Sequence, residues 1–358
     1  MVSTYELEIV NSTNKKEKPS QDQVPFGTIF TDHMFTMEYE EGTGWHEPKI
    51  TPYAPITLDP AAMIFHYGQT VFEGMKAYRT EDGRILLFRP EKNFERLNLS
   101  SERLSIPPVD EAKMLDYLTK LIELEKDWVP STQGTSLYIR PFIISTEANL
   151  AVGPSKTYKL MIILSPVGSY FPGGLKPVVI HVEDQFTRAV KGGTGMAKTA
   201  GNYSSGYQAQ AQAKQAGNAD VLWLDGVEKK YIEEVGSMNI FFKINGEVVT
   251  PALNGSILKG ITRTSIIELL NSWGVPVTER KVSINEIYQA FADGQLEEVF
   301  GTGTAAVISP VGELNWQGRK MVVNNHEIGE LSQKLYDTIT GIQTGKVEDT
   351  LGWTVEVK

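Results

Sequence analysis

The run MNIFFKINGEVVTP, 238–251, constrains the chain more than any other stretch. Two β-rich segments flank Asn245-Gly246, a pair favoured in two-residue hairpin turns because both positions need positive φ. An antiparallel hairpin is predicted there. Around it the second half alternates short apolar runs with helical stretches. VVIHVE (178–183) and DVLWLDG (220–226) read as strands. GITRTSIIELLNSWG (260–274), INEIYQAFADG (284–294) and GELSQKLYDTITGIQ (329–343) read as helices. LEEVFGTGTAAVISPV, 296–311, reads as one strand interrupted at Gly301 and Gly303.

The first half has the same mixture. FTDHMFTMEY (30–39), ILLF (85–88), SLYIRPFIIST (136–146) and YKLMIILSPV (158–167) are predicted strands. RPEKNFERLNLSSERL is helical, with Phe94, Leu97, Leu99 and Leu104 only loosely periodic. In 112–128 the residues Met114, Leu115, Leu118, Leu121, Ile122 and Leu124 form an apolar stripe. Residues 168–177, GSYFPGGLKP, are dense in Gly and Pro and read as a linker. The polar stretch 1–23 reads as a mobile N-terminal arm. The expectation is a mixed α/β chain, with a smaller domain over 24–167 and a larger one over 178–358.

Composition narrows the function classes. The chain has 358 residues and a formal net charge of −10, which argues against nucleic acid or an anionic membrane as partner. It has no cysteine, which excludes disulfides, thiolate catalysis and cysteine metal sites, and fits a reducing compartment. With five histidines and no paired spacing, no metal site is expected. The N-terminal stretch has no apolar signal-peptide core, and the apolar run at 160–167 is too short to span a bilayer. A cytoplasmic protein is expected.

The stretch KGGTGMAKTAGNYSSGY, 191–207, sets Lys198 among small residues, with Tyr203 five positions on and a helix-like run, YQAQAQAKQAG, after it. Small neighbours let a planar molecule or a backbone come close, and burial lowers a lysine pKa enough for Schiff-base chemistry. Taken alone, the same stretch reads more readily as a glycine-rich loop with a solvated lysine. Three further segments belong with it. Glu234, in EEVGSMN, could keep a ring nitrogen protonated, or be an ordinary surface glutamate. Gly260 opens a helix, so the N–H groups of Ile261 and Thr262 are available to an anion, although a plain helix start looks the same. GTGT, 301–304, could form a backbone nest with the Thr304 hydroxyl, or a β-bulge. A lysine, an acid and two anion-binding turns together make the parts list for pyridoxal phosphate.

On FTDHM, HYGQTVFEGMKAY, SLYIRP, KGGTG…K…GNY, VLWLDG, EEVGSMNIFF, TPALNGSILKGITR and EVFGTGTA, the chain resembles the branched-chain amino acid aminotransferases, two-domain pyridoxal-phosphate enzymes of fold type IV. The resemblance runs from about Phe26 to the C-terminus. It implies that Lys198 holds pyridoxal 5′-phosphate and shuttles the proton, that Tyr203 meets the ring hydroxyl, and that Glu234 meets the ring nitrogen. It implies Arg96, Ile261, Thr262 and Thr304 at the phosphate, with Gly260 and Ser237 beside the cofactor; some relatives have threonine where Ser237 stands. Phe26, Tyr67, Phe72, Tyr138 and Ala305 match the substrate pocket, with Arg140 close by and Thr304 at its edge. Val152 matches a loop residue that reaches the pocket of a partner subunit, which implies a homodimer. The implied reaction is reversible transfer of the amino group of L-leucine, L-isoleucine or L-valine to 2-oxoglutarate. D-amino acid aminotransferases and aminodeoxychorismate lyases share the fold; FEGMKAY with SLYIRP argues for the branched-chain type. Some animal relatives carry a Cys-x-x-Cys redox pair after GTGTA. Here Ala306 and Ser309 occupy those positions, so that regulation is absent.

Overall fold

The computed structural model describes residues 5–20, 24–171 and 174–358. Parts of two sequence readings, 1–4 and 21–23 of the arm and 172–173 of the linker, lie outside the described residues. The chain divides into two units. The first comprises Met1–Tyr170, Ala197–Ala200 and Gly341–Lys358; the second comprises Phe171–Met196 and Gly201–Thr340.

The first unit carries β1 (Glu8–Ile9), β2 (His33–Glu40), β3 (Gly44–Pro52), α1 (Met63–Tyr67), β4 (Thr70–Phe72), β5 (Met75–Arg79), β6 (Ile85–Phe88), α2 (Pro90–Arg103), α3 (Glu111–Leu124), β7 (Ser136–Ser145) and β8 (Thr157–Val167). The Asp110 side chain caps α3 by accepting from Lys113 N–H at 3.1 Å. Its apolar stripe buries Met114, Leu118, Leu121 and Ile122, while Leu124 stays exposed where the helix ends. Helix α2 explains its own weak periodicity. Beside Phe94 and Leu97 it buries Asn93, Arg96, Ser100 and Ser101, so more than half of its inward face is polar. Each of those two apolar side chains contributes about 1.5–3 kcal/mol by burial. They join Leu137, Ile139, Leu160 and Ile162 of the sheet in one core.

The arm is held more firmly than its composition suggests. Strand β1 pairs in parallel with β3, Glu8 opposite Lys49. Ser12 N–H donates to His33 Nε2 at 2.8 Å and Lys16 N–H to Asp32 Oδ1 at 2.8 Å. Polar side chains alone predicted mobility; these backbone pairings supply partners that composition does not reveal.

The second unit carries β9 (Val178–Glu183), α4 (Gly201–Ser204), α5 (Tyr207–Gln215), β10 (Asp220–Leu224), β11 (Ile232–Val235), β12 (Asn239–Ile244), β13 (Glu247–Pro251), α6 (Ile261–Ser272), β14 (Val277–Arg280), α7 (Ile284–Ala292), β15 (Leu296–Gly303), β16 (Val307–Trp316) and β17 (Arg319–Val322). Helix α8 (Glu330–Gln343) follows, and β18 (Thr354–Val357) pairs with β6 of the first unit's sheet. The C-terminal segment, read from sequence as part of 178–358, is thus divided. Its last strand completes a sheet whose other strands all lie in the first half of the chain, a pairing that local sequence does not encode.

Among the described residues each unit holds a nine-stranded sheet. The first runs β1-β3-β2-β8-β7-β5-β6-β18 with β4 on β7; the second runs β11-β10-β9-β16-β15-β12-β13-β14 with β17 on β16. The predicted hairpin is β12 and β13, with Asn245 at φ 50° and Gly246 at φ 80°. The stretch 296–311 is not one interrupted strand. Strand β15 runs through Gly301 and Gly303, which pair with Ser309 and Val307 of β16, and the chain turns at 304–306. No helix among the described residues is long and apolar enough to cross a membrane.

Candidate active site

In the first unit the backbone of Lys198 is held from two sides. Its N–H donates to Ser100 Oγ of α2 at 2.9 Å, and its carbonyl accepts Phe72 N–H at 3.0 Å. The next residue, Thr199, forms a bridge with Val71, and its hydroxyl donates to Thr70 O at 2.7 Å. Residues 198–199 therefore lie on β4 as an added piece of sheet edge, which fixes where the lysine side chain starts. Its Nζ stands 4.8 Å from the centre of the Phe72 ring. Some of the side chain keeps exposed surface, yet burial of the amine pushes its pKa down to about 8. The positive charge of Arg96 pushes the same way; Glu73 and Tyr138 partly oppose it. An amine with so low a pKa is partly uncharged near neutrality, as a nucleophile or a proton carrier must be.

Aromatic and cationic groups gather beside it. The Arg140 guanidinium lies 4.8 Å from the Phe72 ring centre, and its Nη2 donates to Tyr138 Oη at 2.9 Å. Phe26 meets Tyr138 edge-on at 5.1 Å. Gly74 allows this arrangement, since a Cβ there would lie 2.3 Å from Tyr138 Oη. Arg96, on α2, is gripped by Glu73 through Nε at 2.7 Å and Nη2 at 2.8 Å. Five of the residues singled out from sequence, Phe26, Phe72, Tyr138, Arg140 and Lys198, are thus linked by contacts, and Arg96 acts on the lysine through its charge. Tyr67 donates from the end of α1 to Leu150 O, and Val152 is 88% exposed.

In the second unit, Glu234 sits on β11 and is buried. Its Oε1 accepts Leu258 N–H at 2.7 Å, and its Oε2 is 3.4 Å from Arg188 Nε. Arg188 also donates to Ser256 O. Ser237 lies exposed in the turn between β11 and β12, where Val235 bridges Met238. Tyr203 lies on α4. Gly260 caps α6, and no side chain caps the helix start at Ile261 and Thr262. A Cβ on Gly260 would stand 2.0 Å from Asn239 Oδ1. Asn239 also donates to Leu258 O at 2.9 Å and pairs across the sheet with Thr302. It therefore ties the start of α6 to β15. Thr304 and Ala305 occupy the turn just beyond β15. The glycines of GTGT are strand residues paired with β16, and the turn begins at Thr304.

Sequence reasoning missed Glu73, Ser100, Arg188 and Asn239. Glu73 stands in the quoted HYGQTVFEGMKAY and Asn239 in EEVGSMNIFF, but nothing local distinguishes them; the side chains that Glu73 holds, Asn93 and Arg96, are 20 and 23 residues away, and the Leu258 carbonyl that Asn239 meets is 19 away.

The parts suit pyridoxal phosphate. An enclosed amine of lowered proton affinity suits an aldehyde, an uncapped helix start suits a phosphate, and a buried carboxylate suits a protonated ring nitrogen. Among the described residues no group of His, Cys, Asp and Glu is arranged to hold a metal ion.

Residues 70–314 match the family described as amino-transferase class IV. Branched-chain-amino-acid aminotransferase 2 of Bacillus subtilis (strain 168) is 64% identical over 97% of this chain and 95% of its own length. The crystal structure of the Escherichia coli branched-chain amino acid aminotransferase superposes with a TM-score of 0.74 at 26% identity, covering 91% of this chain and 99% of that one. The branched-chain amino acid aminotransferase from Thermobaculum terrenum, in its PLP form, has a TM-score of 0.75 at 21% identity, covering 90% and 98%, and speaks for the fold alone. With the family matched over most of its length and the Bacillus relative aligned nearly end to end, the chain belongs to the class IV aminotransferases, among the branched-chain-amino-acid aminotransferases.

Proposed function

We propose that the enzyme moves the amino group of L-leucine, L-isoleucine or L-valine to 2-oxoglutarate, giving the branched-chain 2-oxo acid and L-glutamate, reversibly and in two half-reactions. The observation that carries this reading is Lys198, an enclosed amine with a pKa of about 8, set over the Phe72 ring beside the Tyr138–Arg140 pair. The names of relatives at 57–64% identity support the substrate class.

The cofactor is pyridoxal 5′-phosphate. When bound, it supplies an aldehyde that takes up an amine and a ring that withdraws electrons from the substrate Cα. The residues do the rest. Lys198 Nζ would hold the aldehyde end and, once the substrate amine takes its place there, would carry the proton from Cα to the aldehyde carbon. Glu234 holds a proton on the ring nitrogen, and the Tyr203 hydroxyl donates to the ring oxygen. Arg96, the N–H groups of Ile261 and Thr262, and Thr304 bind the phosphate, with Gly260 and Ser237 beside it. Phe26, Tyr67, Phe72, Tyr138 and Ala305 enclose the substrate side chain and exclude water, with Thr304 at the edge. Arg140, held by Tyr138, takes a carboxylate.

The active form is a homodimer in the cytoplasm, in which Val152 of one subunit completes the pocket of the other. The exposure of Val152, together with Phe65 and Leu150, supports this, since apolar surface of that kind marks contact with a partner. The deciding experiment is a panel of L- and D-amino acids with 2-oxoglutarate, read as glutamate formed. L-Leucine, L-isoleucine and L-valine are expected to react and D-leucine to fail; the reverse would remove the assignment.

A further inference from the structure

The roles proposed above give no part to Glu73, which stands beside the segment that holds Lys198. Glu73 has no exposed surface. It follows β4 directly, and its own N–H donates to Pro141 O at 2.7 Å. Its carboxylate accepts Arg96 Nε at 2.7 Å, Arg96 Nη2 at 2.8 Å and Asn93 Nδ2 at 2.7 Å. Burying a carboxylate is costly unless it is paired, and an apolar side chain could fill the same space. A buried glutamate here therefore points to a specific task. The two-point grip along the Nε–Nη2 edge sets both the plane and the rotation of the guanidinium, which a single contact would leave loose.

The geometry continues along the helix. Asn93, Arg96 and Ser100 are three and four residues apart, so they share one face of α2. Ser100 holds the backbone of Lys198, as described above. One rigid helix thus anchors Lys198 and presents Arg96, and Phe72, next to Glu73, closes the circuit through its N–H to Lys198 O. The charges at the lysine agree with this layout: Arg96 lowers its proton affinity and Glu73 opposes the effect.

We infer that Glu73 is a positioning residue, which fixes the Arg96 guanidinium for the phosphate of the cofactor on the same helix face that anchors Lys198. The inference rests on the reading of Arg96 as a phosphate ligand.

The test compares how tightly the full-length enzyme retains pyridoxal 5′-phosphate and pyridoxal, which lacks the phosphate, followed by visible absorbance on dilution. Glu73→Gln is expected to loosen pyridoxal 5′-phosphate by roughly tenfold or more, as loss of a hydrogen bond to a charged group does, and to leave pyridoxal retention unchanged. Glu73→Gln combined with Arg96→Gln is expected to be no looser than Arg96→Gln alone. Asn93→Ala, a milder change that removes one bond to Glu73, should move pyridoxal 5′-phosphate in the same direction, and carries the test if Glu73→Gln does not fold. Equal loosening of both ligands would reduce Glu73 to a structural part and overturn the inference. If Arg96→Gln loosens pyridoxal 5′-phosphate but Glu73→Gln and Asn93→Ala do not, the inference alone fails. If Arg96→Gln has no effect on it, the phosphate reading fails first.

Discussion

Arg188 Nε stands 3.4 Å from Glu234 Oε2, with both side chains nearly sealed from solvent. The other oxygen, Oε1, accepts Leu258 N–H at 2.7 Å. The carboxylate is therefore aimed by two contacts from different segments. An amide could replace one of them but would put an NH₂ group toward a guanidinium. In a dry site such an arrangement matters more than in water.

Glu234→Gln should accordingly slow proton removal from the substrate Cα by about 10²-fold or more, the scale seen when a preorganised charge partner is lost. Retention of pyridoxal 5′-phosphate should fall much less. Single-turnover absorbance changes with L-leucine measure the first quantity, and dilution measures the second. An unchanged single-turnover rate would take Glu234 out of the mechanism.

Lys198 gives a prediction with a definite sign. Burial lowers its pKa in the folded protein from 10.5 to about 8. Without cofactor, the unfolded chain binds more protons than the folded one between those values, so this group's contribution makes stability rise with pH there. The cost of charging the buried amine is complete below about 8 and gone above 10.5. Lys198→Met should abolish transamination. It should also stabilise the cofactor-free protein at pH 7, with the gain shrinking toward pH 10.5. Urea melts of both proteins at several pH values test this; a gain that does not shrink would mean the amine is not buried in its charged form.

Gly260 is held without a side chain because Asn239 occupies the space. Gly260→Ala should cost about 1–3 kcal/mol, the range for overpacking a tight site, and should loosen the cofactor by shifting the start of α6. The pair Gly260→Ala with Asn239→Ala should recover part of the stability, because the clash is with the Asn239 amide oxygen. Denaturation of the single and double variants decides; independent, additive losses would mean that the two residues do not meet.

Much of the fold was legible where local chemistry decides it. Asn245-Gly246 could only turn, and it does so at positive φ in both positions. Helix α3 announces itself by its apolar stripe, although its cap at Asp110 emerges only in the structure. Elements that depend on distant partners were not legible. Strand β18 is four residues long and pairs with β6, far upstream. Gly301 and Gly303 suggested a break, since glycine weakens a strand, yet β16 pairs with both. The candidate site shows the same division. Residues that carry chemistry by type, such as Lys198 and Glu234, stood out within distinctive stretches. Residues that act by holding others, such as Glu73 and Asn239, are ordinary in type and acquire meaning only through contacts the fold creates.

The substrate prediction follows from the groups gathered near Lys198. Phe72, Tyr138 and Phe26 present ring surface, with one polar tip at Tyr138 Oη and one cation at Arg140. Ring surface rewards buried hydrocarbon at about 0.8 kcal/mol per CH₂. It separates neighbours poorly, because one methylene is worth roughly 1–3 kcal/mol in a pocket. L-Leucine, L-isoleucine and L-valine should therefore fall within a narrow range of kcat/KM, and alanine well below them because it covers little of the rings. Aspartate should also be poor, since its short side chain would lose water before its carboxylate finds a partner. Glutamate is longer by one methylene, so its γ-carboxylate can extend toward the Tyr138 hydroxyl and the Arg140 guanidinium that the 2.9 Å bond holds together. Arg140→Leu should then lower kcat/KM for glutamate far more than for leucine. Measuring kcat/KM for the six amino acids in both proteins tests the whole reading. Preference for alanine or aspartate over leucine would overturn the hydrocarbon pocket, and equal losses for glutamate and leucine in the variant would remove Arg140 as the partner of the side-chain carboxylate.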